Sequence, residues 1–341
     1  MFGDISLGPA IGIFLAAALV VGVVGTYMTR LVDGIADRTG FGEALTGAVL
    51  LGASTSLPGI VTSVWSAGAG HVDLAASNAV GGIAAQTAFL VFADMIYRRA
   101  NLEHAAASAT NLTQLAFLIL LLTLPLLARI APPVTVLGVH PVSVLLFLIY
   151  LAGVRSAAGT ESRPMWRPKK TSETRTDTPD PDVLSGRSSV QVFALFAASA
   201  LTVAVAGWLI ALSGVSIAQQ GGLSQSLVGA LMTAVATSIP ELVTTIAAVR
   251  RGALQLAMGG IIGGNAFDIL FLAFSDGTYR SGSLYHEMNE DAVFWVIVSL
   301  LMSAILMLGL LKRERHGIAN IGFESCLLLI VYAGAVALQI A

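Results

Sequence analysis

Apolar residues run along this chain in long unbroken blocks, separated by short polar or basic stretches. A helix needs roughly 20 residues to cross hydrocarbon. Runs near that length predict ten spans: 8–28, 43–67, 71–97, 111–128, 134–154, 191–213, 225–250, 253–276, 291–311 and 320–340. The runs are continuous rather than alternating, which argues against the two-residue period of a lipid-facing barrel. Asp4 is the only early charge before the first run, so a cleaved signal peptide is not expected. Residues 155–190 break the pattern. They carry Pro164, Pro168, Pro179 and Pro181 among Thr, Ser and charges of both signs, as a flexible linker does. The expected organisation is a membrane unit at 1–154, a linker at 155–190 and a second membrane unit at 191–341.

Composition sharpens this picture. Apolar residues make up 56% of the chain and charged ones 11%, less than half of the about 25% in a soluble domain. Mean hydropathy is +0.83. The net charge of −2 offers no basic field, so no nucleic-acid partner is expected. One cysteine, Cys326, allows no internal disulfide and no cysteine-rich metal site. The five histidines lie near span ends, which does not suggest a metal site in the membrane.

Charge also orients the chain. Placing the odd-numbered connections on one side collects 16 of the 18 Lys and Arg there, with Arg129 and Arg280 opposite. Positive charge stays inside, so both termini are expected outside and the basic loops in the cytoplasm of a prokaryotic cell. Arg167, Lys169 and Lys170 in the linker could touch anionic lipid, although an orientation signal on a solvated loop is the favoured reading.

A gapless shift of 182 residues superposes the two halves. Leu45-Thr46-Gly47-Ala48 falls on Leu227-Val228-Gly229-Ala230, and Thr55-Ser56-Leu57-Pro58 on Thr237-Ser238-Ile239-Pro240. Gly81, Gly82 and Asp94 meet identical residues at 263, 264 and 276. Each unit holds five predicted helices, an odd number, so the second copy enters the membrane the other way up. Inverted repeats of this kind place a site at their interface near mid-membrane.

The chemistry concentrates there. Glu241 lies nine residues before Arg250, deep in the bilayer, where an acid costs roughly 2.5–3.5 kcal/mol on insertion scales. Thr237 and Ser238 share its helical face. Pro240 lacks the N–H that the Ala236 carbonyl would otherwise receive. Asn265 and Asp268 follow the Gly263-Gly264 pair on the next span, and two neighbouring glycines admit a close helix approach. Carboxylates, hydroxyls and a loosened carbonyl form a hard-oxygen set suited to Na⁺ or Ca²⁺. Asp94 and Asp276 stand at helix ends, where capping or solvation is the expected role, and Glu43 is similarly placed. A membrane enzyme using Glu241 and Asp268 as paired acids is disfavoured: the chain has no nucleophile–base set and no zinc motif.

These residues resemble the cation/Ca²⁺ antiporter superfamily, and most of all its sodium/calcium exchanger branch. That family carries two repeats of the form T-S-x-P-E followed by G-N-x-x-G-S-N-x-x-[N/D]. The second copy matches through Thr237, Ser238, Pro240, Glu241, Gly259, Gly263, Asn265 and Asp268. Gly260 and Gly264 stand where the family has Asn and Ser. The first copy matches through Thr55, Ser56, Pro58, Asn78 and Gly81. Gly59 replaces its acidic ligand, Gly82 its serine, Ile83 its asparagine and Gln86 its terminal Asn.

The resemblance implies an all-α polytopic fold of ten helices in two inverted five-helix repeats. It implies cation ligation by Glu241 and Asp268, with neutral oxygens from Thr55, Ser56, Thr237 and Ser238. Gln86 and Asn265 would complete or orient the shell, Pro58 and Pro240 would break the helices, and Gly81, Gly82, Gly263 and Gly264 would admit close packing. Helices one and six would rock across the site. The implied activity is Na⁺/Ca²⁺ antiport with no cofactor beyond the transported ions. Monovalent or H⁺-coupled exchange on the same fold, or a homologue that no longer transports, remain open at this point. The sequence specifies no oligomeric state.

Overall fold

The computed structural model describes residues 5–39, 52–163, 165–171, 188–317 and 321–341. Glu43 and the first half of the expected 43–67 span lie outside them. The first repeat contains α1 (Leu7–Val20), α2 (Thr26–Thr39), α3 (Leu57–Gly68), α4 (Val72–Ile96), α5 (Leu102–Ala106), α6 (Ala109–Ile130) and α7 (Pro141–Ser162). The second contains α8 (Ser189–Gly221), α9 (Gln225–Leu227), α10 (Ala234–Thr237), α11 (Ile239–Arg251) and α12 (Leu254–Asp268), followed by α13 (Leu270–Thr278), α14 (Leu284–Glu287), α15 (Glu290–Lys312) and α16 (Phe323–Ile340). Among the described residues, eight helices are long and apolar enough to cross a membrane, and the bent pair Gln225–Thr237 and Ile239–Arg251 makes a ninth.

Several helices differ in extent from the apolar runs that predict them. The first continues from α1 through a π-helical turn at Val21–Gly25 into α2, past the predicted end at 28. Its extension holds because Tyr27, Leu31 and Ile35 pack on Val192, Leu195 and Phe196 of α8. α8 is 33 residues long, opened by a Ser188–Gln191 capping box and closed by Gly222 at φ +65°. At 1.5 Å per residue it is about 50 Å long, more than a bilayer core needs. α7 starts at Pro141 rather than 134. Pro132 and Pro133 cannot extend a helix, and Val136 pairs with Val139 across a short bridge instead.

Two helices form the centre. α4, and α12 with α13, are buried over 83% and 78% of their apolar windows, against 28% for Leu7–Val32 and 22% for Phe323–Ile340. The outer helices turn Leu15, Leu19, Ile330 and Leu338 outward, as a lipid-facing surface requires.

The 182-residue relation recurs in hydrogen bonds. Asp94 accepts from the N–H groups of Leu102 (2.7 Å) and Gly322 (3.1 Å). Asp276 accepts from those of Leu284 (3.0 Å) and His140 (2.7 Å). His104 bonds the Arg313 carbonyl and His286 the Ala131 carbonyl, both at 2.7 Å. Residue for residue, these partners are 182 apart. Each aspartate thus acts as a cap, tying the short helix after a central span to the start of the last helix of the other repeat. Those clasps hold α4 and α12–α13 in register.

Candidate functional site

The chain breaks two helices at the same repeat position. Ser56 and Ser238 have φ/ψ of −82°/−3° and −97°/6°, immediately before helices that open with Leu57-Pro58 and Ile239-Pro240. A proline in a first helical turn loses no bond of the new helix. It does withhold a donor from the carbonyl four residues back, here Ser54 and Ala236. Around Ser238 the two segments meet at 47°. Breaks of this kind expose hydroxyls and carbonyls at membrane depth only where protein encloses them.

The enclosed groups meet across the repeats. Ser56 Oγ donates to Asp268 Oδ1 at 2.5 Å. Gln86 Nε2 donates to Asp268 Oδ2 at 2.6 Å and to Ser238 Oγ at 3.1 Å. Ser56 and Ser238 are repeat equivalents, and so are Gln86 and Asp268, so this four-membered chain straddles the pseudo-twofold axis. The Thr55 hydroxyl reaches the Glu241 carboxyl from the first repeat, and Asp268 is close enough for its charge to act on Glu241. Thr237 donates within its own helix, to the carbonyls of Thr233 and Ala234. Glu241 and Asp268 are only 5% and 3% exposed. The basic residues on the helix of Glu241, Arg250 and Arg251, stand at its far end.

Three buried oxygens here have no hydrogen-bond donor: Glu241 Oε2, Gln86 Oε1 and Asn265 Oδ1. Buried acceptors are ordinarily satisfied, and exceptions call for a cause such as an ion. Asn265 turns its Nδ2 to Thr87 Oγ1 at 2.9 Å rather than to Asp268. The Thr87 hydroxyl hydrogen goes to the Ile83 carbonyl at 2.7 Å, leaving a lone pair for Asn265.

Glycines allow the helices to close around this centre. A β-carbon on Gly207 of α8 would lie 2.5 Å from the Pro58 carbonyl, and one on Gly25 would lie 2.7 Å from the Pro240 ring. These repeat-related glycines let the first and sixth spans cross the two helix breaks. Gly81 lies against the backbone of Ala230, too close for any side chain. The repeat equivalent of that contact for Gly263 involves Ala48, outside the described residues. Gly82 and Gly264 are looser: their β-carbons would meet Ser238 Oγ at 3.7 Å and Gln86 Oε1 at 3.4 Å.

The expected residues thus gather at one seam, with Asn265 bonded to Thr87 instead of to an acid. Reading the sequence missed three members. Thr87 and Thr233 (which donates to Asn78 Oδ1 at 2.7 Å) are polar interruptions in apolar helices, and that was their signal. Phe271 of α13 packs on Gly59; nothing in an apolar run marks it out.

Comparisons with known proteins agree with this architecture. A family profile described as "Sodium/calcium exchanger protein" matches residues 9–155 and 191–341. The chain is similar to the sodium/calcium exchanger MaX1 of Methanosarcina acetivorans, 26% identical over 150 residues, which is 44% of this chain and 43% of MaX1. The chain therefore spans less than half the length of the curated relatives it matches first. Among solved structures, the H⁺/Ca²⁺ exchanger CAX superposes with a TM-score of 0.70 at 15% identity, covering 97% of this chain and 85% of CAX. The sodium-calcium exchanger NCX_Mj does so with a TM-score of 0.62 at 19% identity, covering 97% and 98%. At those identities the likeness establishes the fold alone. With a profile match over most of its length, this integral membrane chain belongs to the sodium/calcium exchanger protein family.

Proposed function

We propose that the protein is a secondary antiporter that exchanges Ca²⁺ for Na⁺ by alternating access, with Glu241 and Asp268 as the charged ligands. One observation carries the reading: two buried carboxylates at the repeat seam, surrounded by hydroxyls and by acceptor oxygens that lack donors. Isolated buried carboxylates cost several kcal/mol each unless a cation or proton compensates them. Thr55, Ser56, Thr237 and Ser238 supply neutral oxygens, and Gln86 orients Asp268. Two ionised acids carry −2, which one Ca²⁺ or two Na⁺ would neutralise, so the exchange is electroneutral. The basic loops face the cytoplasm of a prokaryotic cell, with both termini outside and lipid around the outer helices.

The test is radiolabelled Ca²⁺ uptake into Na⁺-loaded proteoliposomes. Na⁺-dependent uptake that is lost in Glu241→Gln and insensitive to an imposed membrane potential is the expected result. Folded protein that moves neither ion would establish a homologue that no longer transports. A second reading, monovalent or H⁺-coupled exchange, is favoured by Gly59, which removes one carboxylate from the seam. Uptake driven by a pH gradient and indifferent to Na⁺ would select it.

A further inference from the structure

We propose that Phe271 determines which cations this site takes, by filling the place where a carboxylate on the first repeat would stand. The inference rests on the antiporter reading above and deepens it. Gly59 is the repeat equivalent of Glu241, so a symmetric site would carry an acid there. A β-carbon on Gly59 would lie 2.6 Å from Cε2 of Phe271, 3.1 Å from Cζ and 3.6 Å from Cδ2. The first distance is a clash, the second is tighter than most real contacts and the third is ordinary contact.

Neither partner has room to retreat. Phe271 is 3% exposed, with its ring edge-on to Phe267 at 6.5 Å, and Phe267 is edge-on to Tyr150 at 5.7 Å. On the opposite side Asn78 Nδ2 holds the Gly59 carbonyl at 3.3 Å while bonding Ser63 Oγ at 2.9 Å. An aromatic edge offers no lone pair to a cation and displaces the oxygen that would have done so. The seam therefore presents two carboxylates rather than three. Cation affinity in oxygen sites scales with ligand charge, so Ca²⁺ is bound more weakly than the fold allows and only two positive charges are balanced per cycle.

The experiment combines thermal melting with calorimetric Ca²⁺ and Na⁺ titration of the full chain in detergent. Leucine ends at Cδ, so Phe271→Leu removes the two nearest atoms, Cε2 and Cζ. Gly59→Ala is expected to lower the melting temperature in the natural background. In the Phe271→Leu background it is expected to raise it, because alanine is the better helix former once space exists. The double variant Gly59→Glu with Phe271→Ala is expected to bind Ca²⁺ about tenfold tighter than the natural chain, and Gly59→Glu alone is not. A Gly59→Ala effect of the same sign and size in both backgrounds overturns the proposal, and so does Gly59→Glu alone matching the double variant. The melting comparison decides the matter even where the acidic variants do not fold. A natural chain that binds neither Ca²⁺ nor Na⁺ removes the antiporter reading instead, while the sign change in melting still reports on the contact.

Discussion

Asp94 and Asp276 each make one backbone bond within their own repeat and one to the other repeat, yet the side chains around them differ in charge. Beside Asp276, Ser143 Oγ donates to the carboxylate at 2.7 Å and shares a 2.8 Å bond with the Tyr285 hydroxyl. That clasp holds a single carboxylate, and both of its oxygens are bonded. Beside Asp94, Glu103 stands at the position of Tyr285 and Glu324 at that of Val142. Both are fully buried. The seam reverses the bias: there the first repeat has Gly59 and Gln86 where the second has Glu241 and Asp268. Backbone symmetry therefore rests on the two aspartate caps, and the charge at equivalent positions has been free to diverge. One clasp has become sensitive to protons as a result, and one half of the seam has lost its acid.

Breaking the seam has the largest expected effect. Removing one member of a buried charged set costs about 2–5 kcal/mol, so Asp268→Asn is expected to weaken Ca²⁺ binding by more than about 30-fold. Gln86→Ala, at the equivalent position, removes an orienting bond and is expected to cost about tenfold. Equal losses in calorimetric titration of the two variants would mean that the repeats contribute alike.

The clasps give the next effect. Burial, reinforced by the charges of Asp94 and Glu324, holds the Glu103 carboxyl well above its ordinary value of 4.5. The folded chain therefore binds a proton that the unfolded chain releases near that ordinary value. Stability from this group is complete below about pH 4.5 and is lost as pH rises through the raised value. The melting temperature is expected to fall as pH rises above about 4.5, and Glu103→Gln is expected to flatten that fall. A pH dependence unchanged by the substitution would remove Glu103 as its source.

The smallest effect belongs to the Asp276 clasp. Burial raises the Tyr285 hydroxyl far above any working pH, so it stays protonated. Tyr285→Phe deletes one hydrogen bond and is expected to cost about 1 kcal/mol, with no change in pH dependence by the same melting assay.

Much of this was legible along the chain. Continuous apolar runs located the spans, and the 182-residue shift paired Ser56 with Ser238 and Gln86 with Asp268 before any contact was seen. Thr-Ser-x-Pro announced both helix breaks, because proline acts through its own missing donor and needs no partner. Helix ends were less legible: α2 outruns its apolar stretch because it packs on the start of α8, α8 outruns its own where Val215, Ile217 and Ala218 cluster with α1, and α7 starts late because Val136–Val139 close a turn before Pro141.

Sequence by itself thus determined the membrane class, the repeat, the oxygen-rich character of the seam and the absence of an acid at Gly59, since each depends on residue type and spacing alone. Tertiary structure decided what stands in that acid's place, which partner Asn265 takes, and that Glu103 faces Glu324 across more than 200 residues of chain. Those outcomes depend on which surfaces meet when helices pack. An apolar residue such as Phe271 carries no local mark of whether it will face lipid, core or an ion.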